Sequence, residues 1–149
     1  MDTVSKEQRS RNMAAIQSKN TRPEIYLRKL LFARGYRYGL NSRSVPGHPD
    51  LYLRKYNTAV FVHGCYWHRH EGCKYAYTPK SRMEFWEKKF AANQRRDVVV
   101  RRELAERNVK YAIVWECTIK KMEKDSQEKE HIMGNLENFL VSAEKSVEL

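Results

Sequence analysis

Eleven residues, from 63 to 73, hold three histidines (His63, His68, His70) and two cysteines (Cys65, Cys73). Cys65-x4-His70-x2-Cys73 sets three soft or borderline ligands in one short loop. Cys117, after a later apolar run, is a fourth. A Cys3His set suits tetrahedral zinc, which takes thiolate and imidazole and fills four positions when it is structural. The same cysteines also fit reduced, unliganded thiols. Two features favour the metal: the loop has little apolar content to order itself, and the set uses every cysteine of the chain. His63 and His68 are then left over. Imidazoles held on a metal-braced loop at a strand end are placed for acid–base work.

Acidic residues complete the chemistry. Asp50 follows a turn-rich loop, residues 41–49, and opens the apolar run Leu51, Tyr52, Leu53. An Asp at such a place is ordinarily a turn residue. Here a turn at residues 55–57 leads into a second run, residues 58–62, that ends at His63, so an antiparallel hairpin brings Asp50 and His63 together. An Asp facing two histidines reads as a divalent-metal ligand. Glu24 reads either as helix-dipole stabilisation or as a carboxylate aimed at the same place. Farther on, Trp86, Lys89, Asn93 and Asp97 recur at helical spacing. They read as a solvated charged face, or as a nucleic-acid face where rings stack and amides read base edges.

The elements that must position these groups follow from periodicity. Residues 1–20 are polar, with Met13 and Ile16 one helical turn apart, and read as a frayed tail or as an arm that orders on its target. Thr21, Pro23 and Glu24 mark a helix start, with Ile25, Leu27, Leu30, Leu31 and Ala33 as its buried face and Gly35 as its stop. A short strand is expected over residues 36–40. Ser81 and Glu84 have capping-box spacing and open the longest helix, running to about Arg107. Met83, Phe90, Val98, Leu104 and Ala105 are its expected core face. Residues 109–115 read as a strand, and a last helix, capped by Asp125, carries Ile132, Leu136, Phe139 and Leu140 inward.

The 149 residues are enough for one domain with a sizeable core. We divide it into an arm, residues 1–20, and a single domain, residues 21–149. Residues 1–115 carry 24 Lys and Arg against 10 Asp and Glu, a net +14, whereas residues 116–149 carry 5 against 8, a net −3. A basic body with an acidic tail points to a polyanion on one side. No apolar run has the length of a membrane span, no secretory signal is visible, and the odd cysteine count points to a reducing compartment.

Pro46-Gly47-x-Pro49-Asp50, Phe61-x-His63-Gly64-Cys65-x-Trp67-His68, Phe85-Trp86, Asp97 and Val114-Trp115-Glu116-Cys117 together resemble the very-short-patch-repair (Vsr-type) DNA mismatch endonucleases. The similarity runs over roughly residues 5–140. It implies an α/β fold with a restriction-endonuclease-like core, a mixed β-sheet flanked by helices, and a structural zinc site. It implies strand-specific nicking of double-stranded DNA beside the T of a T:G mispair left by 5-methylcytosine deamination, by Mg2+-dependent phosphodiester hydrolysis. Asp50 would bind magnesium, joined by the backbone carbonyl of Val62, where many members have Thr. His68 would activate water or assist the phosphate, with His63, Asp97 and Glu24 completing the site. Cys65, His70, Cys73 and Cys117 would hold Zn2+, with one residue more between His70 and Cys73 than in some relatives. Tyr66 (often Phe in the family), Trp67 and Trp86 would wedge beside the mispair. Lys89 and Asn93 would contact it, and Met13 and Ile16 would insert from the minor groove, which makes residues 1–20 a DNA-binding arm. The resemblance further implies a monomeric, cytoplasmic bacterial protein, with mismatch-repair proteins as candidate partners and no membrane. Two rival readings share parts of this pattern: a restriction-type nuclease acting on paired DNA, and a non-catalytic zinc-stabilised DNA-binding module.

Overall fold

A computed structural model describes residues 20–149. The arm with Met13 and Ile16 lies outside the described residues. Helix α1 spans Arg22–Ala33, with Thr21 in extended conformation before it and Pro23 in its first turn. It ends in a Schellman motif. Gly35, at φ +95°, donates to the carbonyl of Phe32 and Tyr36 to that of Leu31. Only Leu27 and Leu31 of the expected apolar face are fully covered; Ile25 and Ala33 are exposed. The buried stripe is instead Glu24, Leu27, Leu31, so the helix carries a carboxylate inward.

Five strands form one sheet in the order β1-β2-β3-β4-β5: Gly39–Leu40, Leu51–Leu53, Thr58–His63, Lys110–Trp115 and Ser146–Glu148. β2 runs antiparallel to its neighbours β1 and β3, while β3, β4 and β5 run parallel, so the sheet is mixed. The expected strand over residues 36–40 shrinks to β1. A 3-10 turn at Arg54–Tyr56, closed by Asn57 in the left-handed conformation, makes the hairpin between β2 and β3. Its register pairs Leu51 with Val60 and therefore places Asp50 near Val62.

Helix α2, Met83–Glu106, is the crossover between parallel β3 and β4. It does not start with the expected capping box. Arg82 occupies the cap position in the left-handed conformation and Ser81 lies one residue too early to cap. Phe90 and Leu104 are buried as expected, but Met83 is 50% and Val98 62% exposed, and Ala105 is exposed. The inward stripe is Trp86, Phe90, Asn93, Asp97, Val100 and Leu104. The helix packs its first half on the loop after β3, through Trp86 and Phe90, and its last turns on the sheet, through Val100 and Leu104, and turns Asn93 and Asp97 between them toward a cleft.

Two helices follow β4: α3, Glu116–Lys124, and α4, Ser126–Val141. Asp125 caps α4 as expected, accepting from the amides of Gln127 and Glu128. The short α3 and the terminal strand β5 were not predicted, because each carries few apolar residues. With α1, these helices cover one sheet face, around Leu51, Val60, Ala112, Val114, Ile119, Met133 and Leu136. On the other face Val45, Ala59, Phe61, Cys65, Leu104, Ile113 and Trp115 pack under α2 and the cysteine loop. Alternation along β3 sends Val60 and Val62 to the first face, Phe61 and His63 to the second. Among the described residues no helix is long and apolar enough to cross a membrane.

Candidate active site

Where β3 and β4 end side by side, His63 opposite Trp115, a cleft of about 1020 Å³ opens between α1, the loop before β2 and α2. Glu24, Asp50, Val62, His63, Trp67, His68, Lys89, Asn93 and Asp97 all line it. Residues spread over more than seventy positions are thus gathered by one sheet edge.

Asp50 is set by the hairpin and by the turn before it. Gly47 has φ +83°, and a Cβ there would lie 2.6 Å from Val100 Cγ1 and 3.0 Å from Phe61, so only glycine lets this loop close onto α2. Asp50 Oδ2 accepts a hydrogen bond from the Val62 amide at 2.6 Å. Glu24, 4% exposed, comes in from α1. Its Oε2 accepts from the Asn20 amide at 2.8 Å and from Arg28 Nη2 at 3.2 Å. Burial pushes Asp50 up, the Val62 amide opposes this, and the charge of Glu24 pushes the same way as burial, leaving it at about 7. A buried and a half-buried carboxyl group with too little positive charge between them are a fitting place for a small hard cation, which takes oxygen ligands and keeps several waters.

The histidines form the opposite wall. Their rings are stacked, centroids 3.7 Å apart and planes 5° from parallel. His68 Nδ1 donates to Asp97 Oδ2 at 2.8 Å, which leaves Nε2 of His68 for proton exchange. Burial alone would raise Asp97; the hydrogen bond and charge of His68, with His63 and Arg101, outweigh it and hold the carboxylate below its ordinary range. His63 is 7% exposed. Burial, then the neighbouring charge of His68, push it down to about 3, so it is held neutral. The two histidines are therefore unequal: His68 has a carboxylate partner at Nδ1, and His63 is buried and held neutral.

The loop after His63 carries the Cys3His group. Donor atoms of Cys65, His70, Cys73 and Cys117 all lie within 4.8 Å of one another. The loop is wound by main-chain bonds from His70 to Cys65, from Cys73 to His70 and from Ala76 to Cys73. The His70 ring stacks on Trp115 at 4.1 Å. Without a cation the buried thiol of Cys65 is pushed up to about 12. A thiophilic dication reverses that penalty, so the donor set fits zinc.

Above the loop Tyr66, Trp67 and Trp86 make one cluster, with ring centroids 5.1 to 5.8 Å apart, resting on Phe90. Such edge-to-face packing adds about 0.5–1.5 kcal/mol per pair and stiffens the group. Lys89 lies over Trp67 at 5.8 Å, and Asn93 Nδ2 donates to the Trp67 carbonyl at 3.2 Å. The amide of Asn93 is thus engaged within the protein in this state. Arg69, to which the sequence reading gave no role, staples the loop. It donates to the carbonyls of Tyr66, Ala76 and Tyr77 and to Thr78 Oγ1, and lies 3.9 Å over Phe90. Glu116, Arg96 and Arg101 also line the cleft and were not singled out. Glu116 could have been found from its place at the end of a parallel strand, and Arg101 from its spacing four residues after Asp97.

Fold and site together define a mixed α/β protein with a carboxylate–imidazole cleft braced by a Cys3His group. Comparison with known proteins sharpens this. A sequence model of the family described as DNA mismatch endonuclease Vsr matches residues 1–74. The DNA mismatch endonuclease Vsr of Escherichia coli K12 is 37% identical over 127 residues, spanning 85% of this chain and 81% of its own. The type II nicking enzyme V.NmeAIP of Neisseria meningitidis is 42% identical over 119 residues, 80% of this chain and 84% of its own. V.XorIIP of Xanthomonas oryzae, also a type II nicking enzyme, is 42% identical over 118 residues, 79% and 86% of the two chains. The chain belongs to the Vsr family of DNA mismatch endonucleases.

Proposed function

We propose that this protein nicks one strand of double-stranded DNA next to the T of a T:G mispair arising from 5-methylcytosine deamination, by Mg2+-dependent phosphodiester hydrolysis. The observation that carries this reading is the convergence of Asp50, Glu24, His63, His68 and Asp97 in one cleft whose rim is an aromatic cluster. The topology, a mixed sheet with the carboxylate at a hairpin and the histidines at the next strand end, supports a restriction-endonuclease-like core on residues 21–149.

Asp50 and the Val62 carbonyl are the groups to hold magnesium, with Glu24 close enough to tune the site. Bound there, the ion supplies Lewis acidity at the phosphate and charge neutralisation for the leaving oxygen. The protein's own groups do the rest. Asp97 orients His68 through Nδ1, so that Nε2 faces the cleft as the proton-exchanging atom. His63, neutral and stacked on His68, fixes the ring plane and keeps a second positive charge away from it. Cys65, His70, Cys73 and Cys117 hold zinc and anchor the loop on which His68 sits.

Replacing His68 by Ala removes the proton-exchanging group and lowers single-turnover nicking by about 10²–10⁴-fold. Asp97→Asn keeps the shape but loses the ionised partner, and its loss is smaller, about 10–100-fold, the range for carboxylates that orient a metal-bound imidazole. Equal losses in the two variants, measured at saturating magnesium, would mean that Asp97 takes part directly.

Tyr66, Trp67 and Trp86 support a mispair probe. Unstacking a base step costs a few kcal/mol, and a mispair lowers that cost, so rigid rings forced into the stack discriminate by deformability. Lys89 and Asn93, one helical turn apart beside these rings, suit the displaced edges of a wobble pair. The test is a labelled duplex with one T:G, set against its T:A counterpart and against EDTA in place of magnesium. A single nick beside the mispaired T, absent from both controls, is expected. Cutting of both duplexes would favour the restriction-type reading; binding without cutting would favour the non-catalytic module. Trp86→Ala is expected to narrow the T:G over T:A preference by about tenfold or more, the worth of one stacked ring. An unchanged ratio would remove the wedge.

A further inference from the structure

Among the described residues that line the cleft, Arg101 has a guanidinium Nε that is buried without a partner. On α2, Asn93, Asp97 and Arg101 follow one another at four-residue spacing, so Arg101 stands one turn beyond the residue that orients His68. It lines the cleft, and its charge is felt at both His63 and Asp97, lowering each. Although Asp97 and Arg101 have opposite charge and the right spacing, they make no ion pair. Among the described residues, the ion pair of Arg101 is to Glu148 on β5, Nη2 to Oε1 at 3.4 Å, with the two side chains 42% and 55% exposed. Such an exposed, long pair holds little. The Nε of the same guanidinium is buried and has no partner among the described residues.

Nε and Nη2 form one edge of the guanidinium fork. That edge matches two oxygens of a phosphate and is the reason arginine binds phosphates bidentately. In this state the edge is half used: one weak contact at Nη2, none at Nε. A buried donor without an acceptor is costly unless a ligand supplies one. We propose that Arg101 binds a backbone phosphate of the DNA strand lying in the cleft, using Nε and Nη2 together, and that Glu148 holds it loosely until DNA arrives. The phosphate would enter on the α2 side, beside His63 and His68, across from Asp50 and Glu24, which come from the α1 side. Arg101 would thereby set the register of the strand against the reacting groups. The inference rests on the DNA-nicking reading of the cleft.

The experiment compares wild type, Arg101→Gln, Arg101→Lys and Glu148→Gln on a T:G duplex. It reads Kd as a function of salt in EDTA, and the single-turnover nicking rate in magnesium. Arg101→Gln is expected to weaken binding and reduce the slope of log Kd against log salt by about one phosphate contact. It is expected to slow nicking by about 10–100-fold through misplacement of the strand. Arg101→Lys keeps the slope, because the charge remains, but not the rate, because the fork is lost. Glu148→Gln breaks the same ion pair, yet binds at least as tightly as wild type and nicks at the same rate. The proposal falls if Arg101→Gln keeps both slope and rate. It also falls if Glu148→Gln reproduces the Arg101→Gln losses, since Arg101 then only ties β5 to α2. A wild type that binds the duplex but never nicks it overturns the functional reading instead, and the slope still reports on Arg101.

Discussion

Asp50→Asn will reduce magnesium-dependent nicking by about 10³-fold or more, since the Lewis-acid contribution is several kcal/mol and each 1.36 kcal/mol is tenfold. Asn keeps the size of the side chain and an oxygen to accept from the Val62 amide, so the hairpin should stand. Binding of the T:G duplex in EDTA should not weaken, because the change only removes a negative charge from the cleft. A variant that nicks within tenfold of wild type would show that the metal is held elsewhere.

The same carboxyl carries a pH signature. Burial, opposed by the Val62 amide and reinforced by Glu24, puts Asp50 at about 7, above its ordinary 3.8. A folded-state value above the unfolded one means that the folded, metal-free protein prefers the proton. The stability contributed by this group is present below about pH 4 and is lost as pH rises through about 7. Magnesium competes with the proton for the same oxygens. Thermal unfolding should therefore show magnesium raising Tm at pH 8 and hardly at pH 5. In Asp50→Asn the magnesium effect should vanish at both. A magnesium-induced shift that is the same at pH 5 and pH 8 would contradict Asp50 as the ligand.

The second large effect concerns the cysteine loop. On the zinc reading of the Cys3His group, Cys117→Ser should take the metal content of the purified protein from one zinc per chain to near none. A structural zinc contributes about 10–16 kcal/mol of apparent binding energy in small domains; losing even ~4 kcal/mol of that lowers the Tm of a chain this size by about 10 °C or more. Nicking should fall with it, although Cys117 lies on α3 and not on the loop of His68. The route is mechanical. Cys117 is the one donor of the Cys3His group outside the loop, at the end of β4, where Trp115 stacks on His70. His68 stands between donors Cys65 and His70, so its approach to Asp97 depends on that group. If the thiols are unliganded, Cys117→Ser will leave metal content and Tm within error of wild type.

How much of this was legible in the sequence differs by element. The hairpin of β2 and β3 was readable because strand periodicity and a turn at residues 55–57 act over short range, and its register alone delivers Asp50 to Val62. The Cys3His group was readable because ligand chemistry restricts residue type more tightly than any packing rule. The cap at Asp125 and the stop at Gly35 were readable for the same local reason. The false capping box at Ser81 shows the limit of such signals: the spacing was present, but the chain enters α2 through Arg82 in a left-handed turn.

Tertiary structure decided which polar groups went inside. Glu24 could serve the helix dipole or a site, and the fold of α1 against the sheet buried it with Arg28. On α2, spacing separated an apolar face from a polar stripe, yet the face turned inward takes from both: Phe90 and Leu104 are buried, and Asn93 and Asp97 are half-buried beside them. A helix buries whatever face the rest of the molecule can satisfy, and here Trp67, His68 and the cleft satisfy Asn93 and Asp97. The inequality of His63 and His68 is of the same kind, since it comes from burial and a partner on another element. The edge strand β5 and the pairing of Arg101 with Glu148 gave no local signal, because these contacts join residues far apart in the chain. By itself, the sequence determined which chemistry the protein carries and the local hairpin that holds its carboxylate. Only the tertiary structure decided which charges are paired, which are left to a ligand and which histidine is given a carboxylate partner, because desolvation and partner distance are properties of the packed whole.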